Sequence, residues 1–190
     1  MNIISNTKIW DDQKYDTIID VRSPSEFDDD HIPGALNFPV LYDKERKKIG
    51  TIYKKKSPFE AKVLGSSLIA KNISEHLTKS LKNKNGAWKP LVYCWRGGQR
   101  SKALCLIMQE IGWRVNQLEG GYKFYRNDIQ KKLQILSPKL KIILISGKTG
   151  TGKTKLLNEI KLNNGQILDL EGIACHKGSL LGKDLNNNQP

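Results

Sequence analysis

Residues 93–101 read YCWRGGQRS, and both the fold and the chemistry of the chain turn on this stretch. It closes an apolar run, LVYC (91–94), of the length and β-rich composition of a buried strand. Behind it, Ser101 to Ile111 carries apolar residues at helical spacing. A cysteine between a strand end and a helix start lies in the crevice where open α/β sheets bind ligands. Gly97 and Gly98 allow the backbone to turn so that amide N–H groups converge ahead of the helix as an anion-binding nest. That field, with Arg96 and Arg100 beside it, favours the Cys94 thiolate as a nucleophile. Cys94 is therefore the expected catalytic residue, and Arg96, Gly97, Gly98, Gln99, Arg100 and Ser101 the expected substrate-binding set. Cys105, eleven residues on along the apolar helix, reads as core, and Cys175 has no assigned role.

Outward from the loop, strands alternate with helices. TIIDV (17–21) reads as a buried strand, and PSEFDDDHI as a short helix with Ser23 as its N-cap. GALNFPV is extended, and the basic segment 43–58 is a surface element. Leu64, Leu68, Ile69, Ile73 and Leu77 place a helix between Pro58 and Leu81. RVNQLEGG gives another strand and turn, and 122–136 a basic helix. This order predicts an α/β fold with a mainly parallel sheet flanked by helices over residues 1–136.

Pro138 then breaks the pattern, and 137–190 reads as the start of a P-loop α/β domain. A predicted strand, IILIS (142–146), leads into GKTGTGKT (147–154), which fits G-x-x-x-x-G-K-[ST] in its required strand–loop–helix setting. Gly147, Lys148, Thr149, Gly150, Thr151, Gly152, Lys153 and Thr154 are the expected phosphate-binding residues, with Lys153 reaching a terminal phosphate and Thr154 available to Mg²⁺. A further predicted strand, QILDL, supplies Asp169 as the acidic candidate for nucleotide hydrolysis. No tightly bound cofactor and no resident protein-ligated metal site is expected.

Composition sets the boundaries. A net charge of +13 and a pI near 9.6 favour polyanionic partners such as nucleic acid or phosphorylated substrates. No apolar run approaches the roughly 20 residues needed to span a bilayer, and no signal peptide is evident, so no membrane partner is expected. Three cysteines without metal-site spacing point to a reduced, cytoplasmic setting.

The spacing Cys-x5-Arg-Ser serves a cysteine phosphatase as well as a chalcogen carrier, so the loop alone leaves both open. The flanks decide. IDVRSPSEF, HIPGALN, the cysteine loop and LEGGY together resemble the rhodanese family, whose loop cysteine carries a persulfide or related group. The resemblance gives Asp20, Arg22, Glu26, His31, Gly34 and Asn37 scaffold roles. Joined to a P-loop, with ERKKIGTIYKKKSP, LEGGYKFYR, SGKTGTGKT and DLEGIACHKGS, the chain resembles the bacterial tRNA 2-selenouridine synthases. That resemblance implies selenium-for-sulfur exchange in wobble 2-thiouridine, with selenophosphate as donor and a geranylated intermediate made from geranyl diphosphate. It implies Cys94 as the selenation cysteine, a diphosphate at 147–154, and tRNA and a selenophosphate-supplying enzyme as partners. The basic stretches 44–56 and 123–141 become the expected tRNA phosphate contacts. It also implies a longer family pattern, of which 137–190 is a C-terminally truncated P-loop part. IACHKGS departs from the family's more arginine-rich stretch at Cys175 and Lys177. A stand-alone rhodanese-type sulfurtransferase, a tRNA- or nucleotide-binding module without turnover and a Cys-x5-Arg phosphatase are the alternatives.

Overall fold

The computed structural model describes residues 5–8, 10, 14–148 and 150–174. Thr149 of the phosphate loop, and Cys175, His176 and Lys177, lie outside the described residues. The chain divides into two units, Met1–Pro138 and Lys139–Pro190.

In the first unit, β1 (Asn6–Thr7), β2 (Thr17–Asp20), β3 (Leu36–Asn37), β4 (Pro90–Tyr93) and β5 (Asn116–Leu118) form one sheet of order β1-β5-β4-β2-β3. Every pairing is parallel, with Asp20 opposite Tyr93 and Leu91 opposite Asn116. Side chains alternate across a strand, so neighbouring residues of β4 serve different cores. Val92 and Cys94 join Ile19, Ile73, Leu104, Cys105 and Met108 on one side. Leu91 and Tyr93 join Ile18, Ile32, Leu118, Tyr122 and Tyr125 on the other. A parallel sheet covered on both faces carries apolar runs rather than alternation, which is why TIID and PLVY could be read directly.

The helices are α1 (Pro24–Asp29), α2 (Asp43–Lys55), α3 (Pro58–Lys79), α4 (Gln99–Glu110) and α5 (Gly121–Leu136). At α1, Pro24 stands in the first turn and the Glu26 carboxylate accepts the Ser23 backbone N–H at 3.3 Å. At α3, the Ser57 hydroxyl accepts from the Phe59 and Glu60 N–H groups. The cations of α2, including Arg46, Lys47, Lys48, Lys54 and Lys55, are exposed, as are Lys123, Arg126, Lys131 and Lys132 of α5. β1 has no counterpart in the sequence reading, because two residues are too few to show a period.

The second unit differs from expectation. α6 (Lys153–Leu162) follows the phosphate loop as anticipated, but neither 142–146 nor 166–169 forms a strand. A strand exists only by pairing its N–H and C=O groups with a neighbour, and neither segment has one among the described residues. Ile142, Ile143 and Leu144 are 72%, 90% and 80% exposed, and no described residue of 139–174 is buried. Asp169 is not at a strand end. Instead it is the N-cap of a four-residue helix, α7 (Leu170–Ile173), where its carboxylate accepts the Gly172 N–H at 3.0 Å.

Candidate active site

Cys94 follows the last residue of β4 and is 3% exposed. Its Sγ accepts a hydrogen bond from the Gly98 N–H and faces the Ser101 hydroxyl, each at 3.2 Å. Ser101 is held from behind by Gln117 of β5, whose Nε2 donates to Ser101 Oγ at 2.8 Å and to Gly97 O at 2.8 Å. With its oxygen already accepting from Gln117, the hydroxyl is left to donate, either towards the sulfur or to Gly98 O at 3.1 Å. Gln117 is absent from the expected site residues. A buried glutamine in a three-residue strand was the available signal, since a buried amide needs partners.

The loop is seated on the turn that opens α5. Tyr122 N–H donates to Cys94 O at 2.9 Å, and Lys123 N–H to Trp95 O at 3.0 Å. The seat depends on two glycines. A Cβ on Gly121, at φ +57°, would lie 2.1 Å from Cys94 O and 2.6 Å from Gly97 N. A Cβ on Gly97, at φ +65°, would lie 2.7 Å from Leu118 O. The glycines of LEGGY therefore let a second backbone turn support the nucleophile loop from behind.

Arg100 has a different immediate partner from the one expected of a substrate-gripping residue. Its guanidinium forms a bidentate pair with Glu26 of α1, at 2.6 and 3.1 Å. Arg46 of α2 donates to the same carboxylate at 3.0 Å. Burial pushes the Glu26 carboxyl up, but the bonds and charge of Arg100, with Arg46 behind, outweigh it and bring the group to about 2. A lowered carboxylate stabilises the fold above its unfolded value, and the gain is lost as pH falls through the folded one. With 23% of the side chain left in solvent, the pair is expected to contribute up to about 3 kcal/mol at neutral pH. Urea midpoints of wild type and Glu26→Gln should converge between pH 5 and 2; a constant gap would contradict this assignment.

Beneath the loop is a buried ion pair. Arg22 is 1% exposed and Asp20 0%, and the Arg22 guanidinium meets the Asp20 carboxylate at 2.7 Å. Burial pulls the guanidinium down, yet the hydrogen bonds and charge of Asp20 prevail and leave it above its ordinary value. Arg22 also donates to Asp30 O, and its Cζ lies 4.1 Å from the Tyr122 ring centroid. Asn37 donates to the carbonyls of Asp20 and Arg22, Tyr122 OH to Asp30, and His31 stacks on Phe27 at 3.8 Å. Gly34 takes the left-handed backbone at φ +77°. These are connections that hold strand ends together. Cys105 is fully buried, and burial, with the Cys94 charge adding to it, pushes its thiol up to about 12, as befits a core residue.

In the second unit, Gly150 and Gly152 have φ near +83° and +82°, and Gly152 is the N-cap of α6. Lys153 folds back so that its ammonium donates to the carbonyls of Gly147 at 2.9 Å and Lys148 at 3.1 Å. Thr151 donates to Lys148 O, and Thr154 is exposed in the first turn of α6. The loop thus has the lysine, the turns and the helix start that a diphosphate requires, with the ammonium parked on its own backbone. Among the described residues no group of three His, Cys, Asp or Glu side chains gathers to hold a metal. None of the helices there is long and apolar enough to cross a membrane.

Comparison with known proteins agrees with this division. Residues 6–128 match the rhodanese-like domain, and residues 140–190 match the tRNA 2-selenouridine synthase AAA domain. The tRNA 2-selenouridine synthase of Bdellovibrio bacteriovorus is 39% identical over 173 residues, covering 87% of this chain and 43% of that protein. That of Sulfurovum sp. is 38% identical over 169 residues, covering 88% of this chain and 45% of that protein. The chain thus spans under half the length of the curated relatives it matches. Among solved structures, the N-terminal domain of a protein named for ATP/GTP binding from Clostridium difficile 630 superposes with a TM-score of 0.56. It is 35% identical and covers 66% of this chain and 98% of that domain.

Proposed function

The chain belongs to the rhodanese-like domain family, and from that premise we propose that it acts in tRNA 2-selenouridine synthesis, with Cys94 as its chalcogen-handling nucleophile. The observation that carries the proposal is the Sγ of Cys94 at the end of β4, facing two donors at 3.2 Å. Negative charge on that sulfur, or on a selenium or sulfur attached to it, would be met by the Gly98 amide and the Ser101 hydroxyl. Gln117 keeps the hydroxyl in place, and the Gly120–Gly121 turn keeps the loop in place. Arg96 and Gln99 stand at the exposed rim, where substrate would meet the loop.

In this reading the 2-thiouridine sulfur takes the geranyl group from geranyl diphosphate, and pyrophosphate leaves. Selenide-level selenium supplied as selenophosphate then displaces the geranylated sulfur at carbon 2, which leaves as geranylthiol, and phosphate is released as the selenium–phosphorus bond breaks. The loop 147–154 would hold the diphosphate, with Lys153 exchanging its own carbonyls for phosphate oxygens. Thr154 is the residue that would offer Mg²⁺ a hydroxyl. The exposed cations of α2 and α5 would take the tRNA backbone. A selenophosphate-supplying enzyme is the further partner, and the cytoplasm the site of action. The phosphatase alternative receives less support, because the arginine that would grip a phosphoester is already paired with Glu26.

Selenouridine-deficient cells carrying the gene for this chain provide the test. Digested tRNA is expected to contain 2-selenouridine with the wild-type protein and none above background with Cys94→Ser. Equal selenouridine with both would refute the role of Cys94. Cyanide-dependent thiocyanate formation without any selenouridine would favour the stand-alone sulfurtransferase.

A further inference from the structure

Trp95 and Arg96, the two residues after the nucleophile, have large exposed side chains that the chemistry above leaves without a defined partner. Of the four tryptophans, Trp88 and Trp113 are buried edge to face in the core, and Trp10 is half-buried with its Nε1 bonded to Asp128. Trp95 is 37% exposed, and its indole N–H has no hydrogen-bond partner among the described residues. An exposed indole at the rim of the Cys94 loop is within reach of whatever approaches the cysteine.

Its surroundings make it a rigid surface. The Trp95 carbonyl accepts from Lys123 N–H, and the Tyr122 ring lies 5.5 Å away at 35°. The Arg22 guanidinium stands over the indole, 6.0 Å from its centroid, so this part of the ring is taken by the scaffold and the exposed part is turned to solvent. Arg96 is exposed with no partner among the described residues, and the exposed Lys123 is joined to Trp95 through its backbone. Arg126 follows Lys123 on the same face of α5. An aromatic platform set between cations is the arrangement that takes single-stranded nucleic acid, base on ring and phosphate on cation. A prenyl chain would instead call for a groove of apolar neighbours, and Arg96 and Lys123 do not supply one.

We propose that Trp95 is a stacking platform for a pyrimidine base of single-stranded RNA, with Arg96 taking an adjacent phosphate, so that a base sulfur is presented to Cys94. The proposal rests on the tRNA reading above and adds a specificity-determining residue to it. Binding is measured with the 190-residue chain, using an RNA stem-loop that carries one 2-thiouridine in its loop and a blunt RNA duplex of matched length. Trp95→Ala is expected to weaken the stem-loop about tenfold or more and to leave the duplex unchanged. Trp95→Phe should retain most of the affinity. Arg96→Ala should weaken both RNAs and lower the salt slope by about one. Equal affinity of wild type and Trp95→Ala for the stem-loop, or equal losses on both RNAs, would overturn the platform. So would a wild-type chain that does not prefer the stem-loop. The platform can fail while Cys94 still accepts chalcogen from a donor, whereas failure of the functional reading would appear as no loading of the wild-type chain.

Discussion

Asp20→Ala is expected to destabilise the first unit by about 3–5 kcal/mol, the cost of leaving one partner of a buried ion pair without the other. Arg22 is 1% exposed, and its Nε and terminal nitrogen all point at the Asp20 carboxylate. The carboxylate also accepts the Arg22 backbone N–H at 2.8 Å, so the substitution strands a guanidinium and an amide together. What remains to the guanidinium is the Asp30 carbonyl, the rings of Tyr93, Trp95 and Tyr122, and the charge of Glu26, which the pairs with Arg100 and Arg46 already engage. Urea unfolding measures the effect. In a double-mutant cycle with Arg22→Met, the double variant should lose well under the sum of the two single losses, because removing both charges leaves neither stranded. Simple additivity would mean that the pair does not act as a unit.

Gly121→Ala is expected to cost about 3 kcal/mol or more, combining a left-handed backbone position with overpacking. The added Cβ would meet Cys94 O, Gly97 N and Arg96 N, all of them backbone atoms that no rotamer change can move aside. The loop can only lift from its seat, breaking the Tyr122-to-Cys94 hydrogen bond and moving Sγ away from the Ser101 hydroxyl. Transfer activity should therefore fall further than stability alone explains. Gly86→Ala is the control, since a Cβ there meets nothing within 4 Å, and it should stay within about 0.5 kcal/mol of wild type. Equal behaviour of the two variants would show that the seat is not needed.

The parts of the fold that could be read in the sequence are those whose physics is local. TIID and PLVY announce strands buried on both faces, Ser23 and Pro58 announce helix starts, and the strand–cysteine–glycine order places the nucleophile at a sheet's carboxyl end. The rhodanese-like resemblance and the match to tRNA 2-selenouridine synthases both hold. What escaped depends on partners distant in sequence. Gln117 supports Ser101 from another strand, and Glu26 takes Arg100 across seventy-four positions, so neither pairing leaves a mark on spacing. IILIS has the composition of a strand, but composition does not provide a neighbour to pair with, and the segment is exposed. Asp169 likewise has the residue type for metal chemistry and the position of a helix cap.

The central claim is that Cys94 receives the chalcogen, and mass spectrometry of the donor-treated chain tests it most directly. The 190-residue protein is incubated with a persulfide or selenopersulfide donor, whose outer sulfur or selenium passes to the Cys94 thiolate as the donor thiolate leaves, and is digested without reduction. The account predicts a selenium- or sulfur-bearing adduct on the peptide containing Cys94, absent from Cys94→Ser and diminished in Ser101→Ala, with Cys105 unmodified. An adduct on Cys105 instead, or one that persists after Cys94→Ser, would contradict it.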